Sequence, residues 1–197
     1  MNPERLSLII ATYNWPDALA VVLASVKGQT VKPAEVIVAD DGSRADTAAT
    51  VESWRARLDC ELVHVWQEDS GYRLARSRNL AIAAATGDYL VSIDGDMVLH
   101  PRFIEDHADC ARPECFIQGS RVRLPPEATR RMLRACDPTV GPFMPGLDRR
   151  TYAMRSTLLS ALTSRARISI AAIQGCNQSY WKQHLLQANG FDERFTT

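Results

Sequence analysis

The 197-residue chain has no surplus of either charge: Lys+Arg and Asp+Glu each total 23, for a formal net charge of +0. Nucleic-acid binders draw much of their affinity from neutralising phosphates and carry a basic excess, so this balance argues against a nucleic-acid partner. No apolar run approaches the roughly 18–20 residues that cross a bilayer. The N-terminus passes almost at once into a strand-like segment with no signal-peptide pattern, so a cytoplasmic protein is expected. Cysteine is scarce: five residues, an odd number, scattered as Cys60, Cys110, Cys115, Cys136 and Cys176. That usage fits reduced thiols rather than a disulfide framework. Cys110 and Cys115 find no second Cys/His pair that would complete a zinc site, and His64, His100, His107 and His184 form no ligand spacing. Internal repeats are absent. So are both glycine-rich phosphate loops, G-x-G-x-x-G and G-x-x-x-x-G-K-[ST], so any bound phosphate must be held by other means.

What is present is an ordinary globular composition, 46% hydrophobic and 23% charged, on a chain long enough to build a full core. Short apolar runs at residues 6–11, 35–39, 61–66 and 89–93 read as strands, separated by amphipathic stretches at residues 16–27, 45–58 and 74–86. Asn14 is expected to cap the first helix, with Pro16 and Asp17 in its first turn and Gly28 as its stop. Gly87 is expected to cap the third. This βαβαβαβ order predicts an α/β fold, a mostly parallel central sheet flanked by helices through right-handed crossovers. Later the pattern loosens. Expected there are a short helix at 103–110, a short strand at 115–119, a helix at 151–162, a strand at 168–175 and a helix at 181–188. Residues 121–167 are rich in Arg and Pro, a local cationic face in an otherwise neutral chain.

Ligands of open α/β sheets bind beyond the carboxyl ends of the strands. Three predicted strands end in polar clusters: Thr12-Tyr13-Asn14, Asp40-Asp41-Gly42-Ser43 and Asp94-Gly95-Asp96. Two acids in one loop are ordinary turn formers. Placed directly after a buried strand, beside two further polar strand ends, Asp94-x-Asp96 instead suits a hard divalent cation that bridges phosphate oxygens. An Asp in the second cluster suits hydrogen bonds from a base N–H or a ribose hydroxyl.

These clusters, with Gln67-Glu68-Asp69-Ser70-Gly71-Tyr72-Arg73, Arg76-Ser77-Arg78-Asn79, Gly175-Cys176-Asn177 and Gly190-Phe191-Asp192-Glu193, resemble glycosyltransferase family 2. The likeness is to its members that build bacterial polysaccharide, lipopolysaccharide and chondroitin-type chains. The resemblance implies a GT-A (Rossmann-like nucleotide-diphospho-sugar transferase) fold. It also implies metal-dependent transfer, with inversion, from a nucleotide-sugar such as a UDP-sugar to a saccharide or glycolipid acceptor, with Mn2+ or Mg2+ as cofactor. By the same resemblance Thr12, Tyr13 and Asn14 line the nucleobase pocket and Asp41 bonds the uracil or ribose, with Asp40 supporting that loop. Arg78 and Asn79 contact the donor or its diphosphate region. Asp94 faces the ribose or donor sugar beside Gly95, and Asp96, with Asp94, holds the metal. Residues 1–100 would form the nucleotide-sugar half of a single domain, and residues 101–197 an acceptor-side half truncated at its C-terminus. The family's base lies beyond the Gly-Phe-Asp-Glu segment, which leaves Asp192 and Glu193 as the only candidates before Thr197. A sugar-nucleotide-binding module without catalysis is the alternative, and a nucleotidyltransferase is disfavoured by the missing glycine-rich loop. The cationic residues 121–167 make peripheral association with the inner face of the cytoplasmic membrane an expectation.

Overall fold

Every residue of the first strand, β1 (Leu6–Thr12), is buried, because helices cover both faces of the sheet around it. The computed structural model describes residues 3–156 and 173–196. Its elements continue as α1 (Pro16–Lys27), β2 (Glu35–Asp40), α2 (Ala45–Arg55), β3 (Glu61–Trp66), α3 (Leu74–Ala84), β4 (Tyr89–Asp94), α4 (Phe103–Cys110), β5 (Ile117–Gln118) and α5 (Pro126–Ala135). A 3-10 turn (Arg150–Ala153), β6 (Asn177–Trp181) and α6 (Lys182–Gln187) follow. The six strands form one sheet in the order β3-β2-β1-β4-β6-β5. β3, β2, β1 and β4 run parallel, and β6 is antiparallel to both β4 and β5. The predicted α/β architecture with a mainly parallel sheet is therefore what the chain adopts.

Strand alternation sends side chains to two layers. Leu8 and Ile10 of β1 and Val36 and Val38 of β2 pack with Leu19, Val22, Leu23 and Val26 of α1, Val51 and Trp54 of α2 and Ile104 of α4. Ile9, Ile37, Ala39 and Leu90 face the other way, onto Ala81 and Ile82 of α3. Two buried polar knots lock the edges. At the amino end of the sheet, Glu35 accepts hydrogen bonds from Ser7 Oγ (2.6 Å), Thr86 N (2.7 Å), Thr86 Oγ1 (2.8 Å) and Gly87 N (3.2 Å). Burial pushes this carboxyl up, and these donors outweigh it and hold it below its ordinary value.

The second knot runs through β6. Tyr89 OH lies 2.8 Å from Ser179 Oγ, which lies 2.8 Å from His107 Nδ1, while His107 Nε2 reaches Asn177 Oδ1 at 3.1 Å. Because Asn177 offers its carbonyl oxygen, Nε2 is assigned the proton and Nδ1 accepts from Ser179. Burial pushes the His107 imidazole down to about 4. In the unfolded chain it titrates near ~6.5, so the unfolded state binds the extra proton between those values and stability falls as pH drops through that window. At about 1.4 kcal/mol per pKa unit, the expected loss is roughly 3 kcal/mol by pH 4. Urea unfolding from pH 7 to 4 measures it. The slope should flatten in His107→Gln, and an equal slope in the two proteins would contradict the assignment.

Four local expectations change. Asn14 does not cap α1: Trp15 holds that position with no side-chain cap. Asn14 instead sits at φ 48°, donates its N–H to Ser43 Oγ (2.8 Å) and accepts the Arg44 N–H on Oδ1 (3.0 Å), tying β1 to the turn after β2. Gly87 caps nothing, because α3 ends at Ala84 and Ala85 is extended. It is a close-approach glycine, where a Cβ would stand 2.4 Å from Ser7 Oγ. The expected strand at 115–119 shrinks to Ile117–Gln118. Trp181, expected to open the last helix, closes β6 instead: it is buried, meets the Tyr89 ring edge-on at 5.1 Å and donates Nε1–H to Arg112 O (2.8 Å). The expected strand at 168–175 falls largely outside the described residues, as does half of the helix expected at 151–162, whose described half holds only the end of the 3-10 turn. Helix α5, inside the arginine-rich stretch, was not foreseen. It buries Ala128 and Met132 and leaves its arginines outward.

Candidate active site

The sheet reverses its winding at β1: β2 lies on one side and β4 on the other, the crevice where open α/β sheets bind ligands. Register brings the three polar strand ends together there, with Thr12 opposite Asp40 and Ala11 opposite Asp94. They border a cavity of about 400 Å³ lined by Ala11, Thr12, Tyr13, Trp15, Asp41, Gly71, Tyr72, Leu74, Asp94, Gly95 and Asp96. Of the predicted residues, Thr12, Tyr13, Asp41, Asp94, Gly95 and Asp96 line it directly. Asn14, Asp40, Arg78 and Asn79 do not.

The two acids after β2 divide their work. The Asp40 side chain is fully buried. It accepts Ser43 N–H on Oδ1 (2.7 Å) and sits 2.8 Å from His64 Nε2 through Oδ2. Trp66 Nε1 donates to Ser43 O (3.0 Å), so two β3 side chains brace the turn. Asp41 faces the cavity with its carboxylate already oriented: Gln67 Nε2 donates to Oδ1, and Arg73 N–H donates to Oδ2 at 2.9 Å. Arg76 Nη1 fixes the Gln67 amide in turn, donating to its Oε1 (2.7 Å). Gly42 at φ 95° lets the turn lie under the 67–73 segment, since a Cβ there would stand 2.5 Å from Asp69 Cα. Tyr13 OH donates to Asp69 Oδ2 (3.0 Å), fastening the β1 end to the same segment.

Across the cavity, Gly95 N–H donates to Ala11 O (2.6 Å), and a Cβ on Gly95 would meet that oxygen at 2.7 Å. This contact holds the acidic loop against β1. Burial raises the Asp94 carboxyl above its ordinary value; the Arg78 guanidinium opposes this and the neighbouring Asp96 charge adds to it. Asp96 is exposed and makes no hydrogen bond or ion pair among the described residues. Two carboxylates close enough to feel each other, one of them unpaired, form an oxygen-only donor set short of positive charge. That fits a hard divalent cation completed by phosphate oxygens and water. Among the described residues no group of three or more His, Cys, Asp or Glu forms a closed metal cage, so such a cation would depend on a ligand for its remaining partners.

Arg78 and Asn79, which the family resemblance places at the donor, do not line the cavity. Arg78 is buried behind the acidic loop: Nη2 donates to Asp94 Oδ1 (2.9 Å) and Gly175 O (3.0 Å), and the guanidinium lies 5.6 Å from the Phe191 ring centre. Asn79 faces away from the cavity. Its Nδ2 donates to Phe191 O (2.9 Å) and Glu193 Oε1 (2.9 Å), and its Oδ1 accepts Phe191 N–H (2.9 Å). Asp192 and Glu193 line a second cavity with Asn79, not the strand-end one. Arg194 holds the Asp192 carboxyl down to about 2, the wrong direction for a general base that works near neutral pH. Sequence reasoning overlooked Gln67, His64 and Trp66 as supports of the turn after β2. His64 and Trp66 alternate on one face of β3, a period-two signal that no ligand spacing would reveal.

Chondroitin synthase of Escherichia coli is 37% identical over 107 residues, 54% of this chain and 15% of that protein. Hyaluronan synthase of Pasteurella multocida is 34% identical over 112 residues, 54% of this chain and 11% of that protein. The matches thus span a small part of each relative's length. A mannosyltransferase of Pyrobaculum calidifontis, solved with GDP-Man and Mn2+, superposes over 98% of this chain and 48% of its own with TM-score 0.64 at 20% identity. S. aureus TarS 1-349, solved with UDP, superposes over 98% of this chain and 52% of its own with TM-score 0.62 at 21% identity. Both show the same fold. The sequence model of glycosyl transferase family 2 matches residues 7–185, and the chain belongs to that family.

Proposed function

We propose that this chain binds a nucleotide-sugar, a UDP-sugar, at the strand-end cavity and transfers the sugar with inversion to a saccharide or glycolipid acceptor in bacterial surface polysaccharide or lipopolysaccharide synthesis. The observation that carries the reading is the convergence of Asp41, Asp94 and Asp96 on one cavity at the winding reversal. The relatives' names, chondroitin synthase and hyaluronan synthase, support polysaccharide as the product class.

In this reading Asp41, held by Gln67 and Arg73, accepts the N–H of the base, and Tyr13 and Thr12 shape the pocket around it. A carboxylate accepts from uracil N3–H and has nothing to accept from the unprotonated N3 of cytosine, which favours UDP over CDP. Asp94 and Asp96 hold Mn2+ or Mg2+, which when bound neutralises the departing diphosphate as a Lewis acid. Arg78 keeps Asp94 ionised and aimed, and Gly95 keeps the pair at the β1 edge. Asp192, held by Arg194, and Glu193, bonded to Asn79, serve the 190–194 turn rather than the acceptor's proton. Residues 1–100 then form the donor half and the following residues the acceptor side, working at the cytoplasmic face of the membrane. Among the described residues no helix is long and apolar enough to cross it.

Calorimetric titration with UDP, GDP, CDP and dTDP in the presence of manganese tests the reading. UDP should bind at least about tenfold tighter than CDP, the consequence of one hydrogen bond to a buried carboxylate that uracil N3–H makes and cytosine N3 does not. No binding of any of the four would overturn it.

A further inference from the structure

The polar edge of the sheet carries a cation with no role so far. β5 runs parallel to β4 with β6 between them, so it ends on the same edge as the acidic loop. Beyond Gln118, Gly119 N–H donates to Asn177 O (3.0 Å) and Asn177 Nδ2 donates to Ser120 O (3.2 Å). Only glycine permits this approach, because a Cβ at residue 119 would stand 2.2 Å from Asn177 Nδ2. The same β6 end meets the acidic loop, where Asp94 N–H donates to Cys176 O (3.3 Å). Gly119 and Ser120 are therefore pinned, through Cys176-Asn177, beside the acidic loop.

Arg121 follows directly. It is partly buried, and its guanidinium makes no hydrogen bond, ion pair or ring contact among the described residues. Arg78, the cation paired with Asp94, is held behind the loop, where Nη2 donates to Asp94 and Gly175 and the guanidinium lies over the Phe191 ring. A partly buried guanidinium has five donors to satisfy, and its planar fork matches two phosphate oxygens.

We propose that Arg121 is a donor-binding residue that contacts the diphosphate of the nucleotide-sugar, on the β5 side of the acidic loop. The proposal rests on the donor-site reading above. It adds a fixed cation to the side of the site where the metal would otherwise be the sole counter-charge to the diphosphate.

Titration of uridine and UDP, each with and without manganese, against wild type, Arg121→Ala and Arg121→Lys separates the possibilities. The expected result is a UDP affinity about tenfold or more weaker in Arg121→Ala, with uridine affinity unchanged and part of the loss recovered by lysine. Some weakening should persist without manganese, because the contact is the protein's own. If wild type binds UDP and Arg121→Ala binds it equally well, the Arg121 assignment falls and the donor site stands. Parallel loss of uridine and UDP, in Arg121→Lys as in Arg121→Ala, would mark a structural role and also overturn it. If wild type binds no UDP, the donor reading fails and takes this proposal with it.

Discussion

Arg78→Ala is expected to lower stability by about 2–3 kcal/mol and to weaken any metal-linked ligand at the acidic loop. Removing one partner of a buried ion pair typically costs about 3–5 kcal/mol, because the remaining charge stays desolvated. Here the Asp94 side chain keeps 36% of its surface exposed, so water recovers part of that loss and the lower range applies. The variant also strips a donor from Gly175 O and the cation from the Phe191 ring. Without the Arg78 charge, burial and Asp96 raise the Asp94 carboxyl further above its ordinary value. A metal needs the carboxylate, so half-maximal metal-linked binding should move to higher pH. Arg78→Lys keeps the charge but cannot reproduce one nitrogen shared between Asp94 and Gly175 with a flat face on Phe191, and should recover only part of both effects. Urea unfolding together with manganese-dependent UDP titration at pH 6 and 8 measures this. A variant within about 0.5 kcal/mol of wild type, with an unshifted pH profile, would place Arg78 among ordinary surface arginines.

The parallel half of the fold was legible because its signals are local. Strand runs of period two, helices of period 3.6 and polar strand ends each announce themselves within a dozen residues. Topology then carries Thr12, Asp41, Asp94 and Asp96 to one cavity without further information. What was not legible depends on long-range contacts. Asn14 looks like a helix cap, and a partner 29 residues away, Ser43, recruits it instead. Gly87 looks like a helix stop, and Ser7 across the sheet explains it. Arg78 and Asn79 share a family motif and a helix, yet the α3 surface turns one behind the acidic loop and the other onto the backbone of Phe191, 112 residues later. The antiparallel strand β6 escaped notice because its residues, Asn177 to Trp181, are mostly polar by type. They are buried because Asn177 and Ser179 pair with His107 and Tyr89. Such polar pairing leaves no hydrophobic period to read.

Asp96 carries the largest expected effect on ligand binding. It is exposed at the cavity rim, unpaired, and one glycine from Asp94. Its removal should leave the fold intact, since no hydrogen bond or ion pair among the described residues is lost. It should also relieve Asp94 of a like charge that raises its carboxyl, so Asp96→Ala is expected to be at least as stable as wild type. The consequence falls on the donor instead. With one carboxylate left, a hard cation loses a principal oxygen ligand, and the diphosphate faces Asp94 with little to bridge them. Loss of a metal-bridging carboxylate should weaken metal-linked UDP binding by about a hundredfold or more, roughly 3 kcal/mol. The decisive measurement is therefore calorimetric titration of UDP into wild type and Asp96→Ala, each with and without manganese. We predict manganese-dependent UDP binding in wild type and its loss in a stably folded Asp96→Ala. Equal UDP binding in both proteins, whether manganese is present or not, would contradict a metal-bridged donor site at these strand ends.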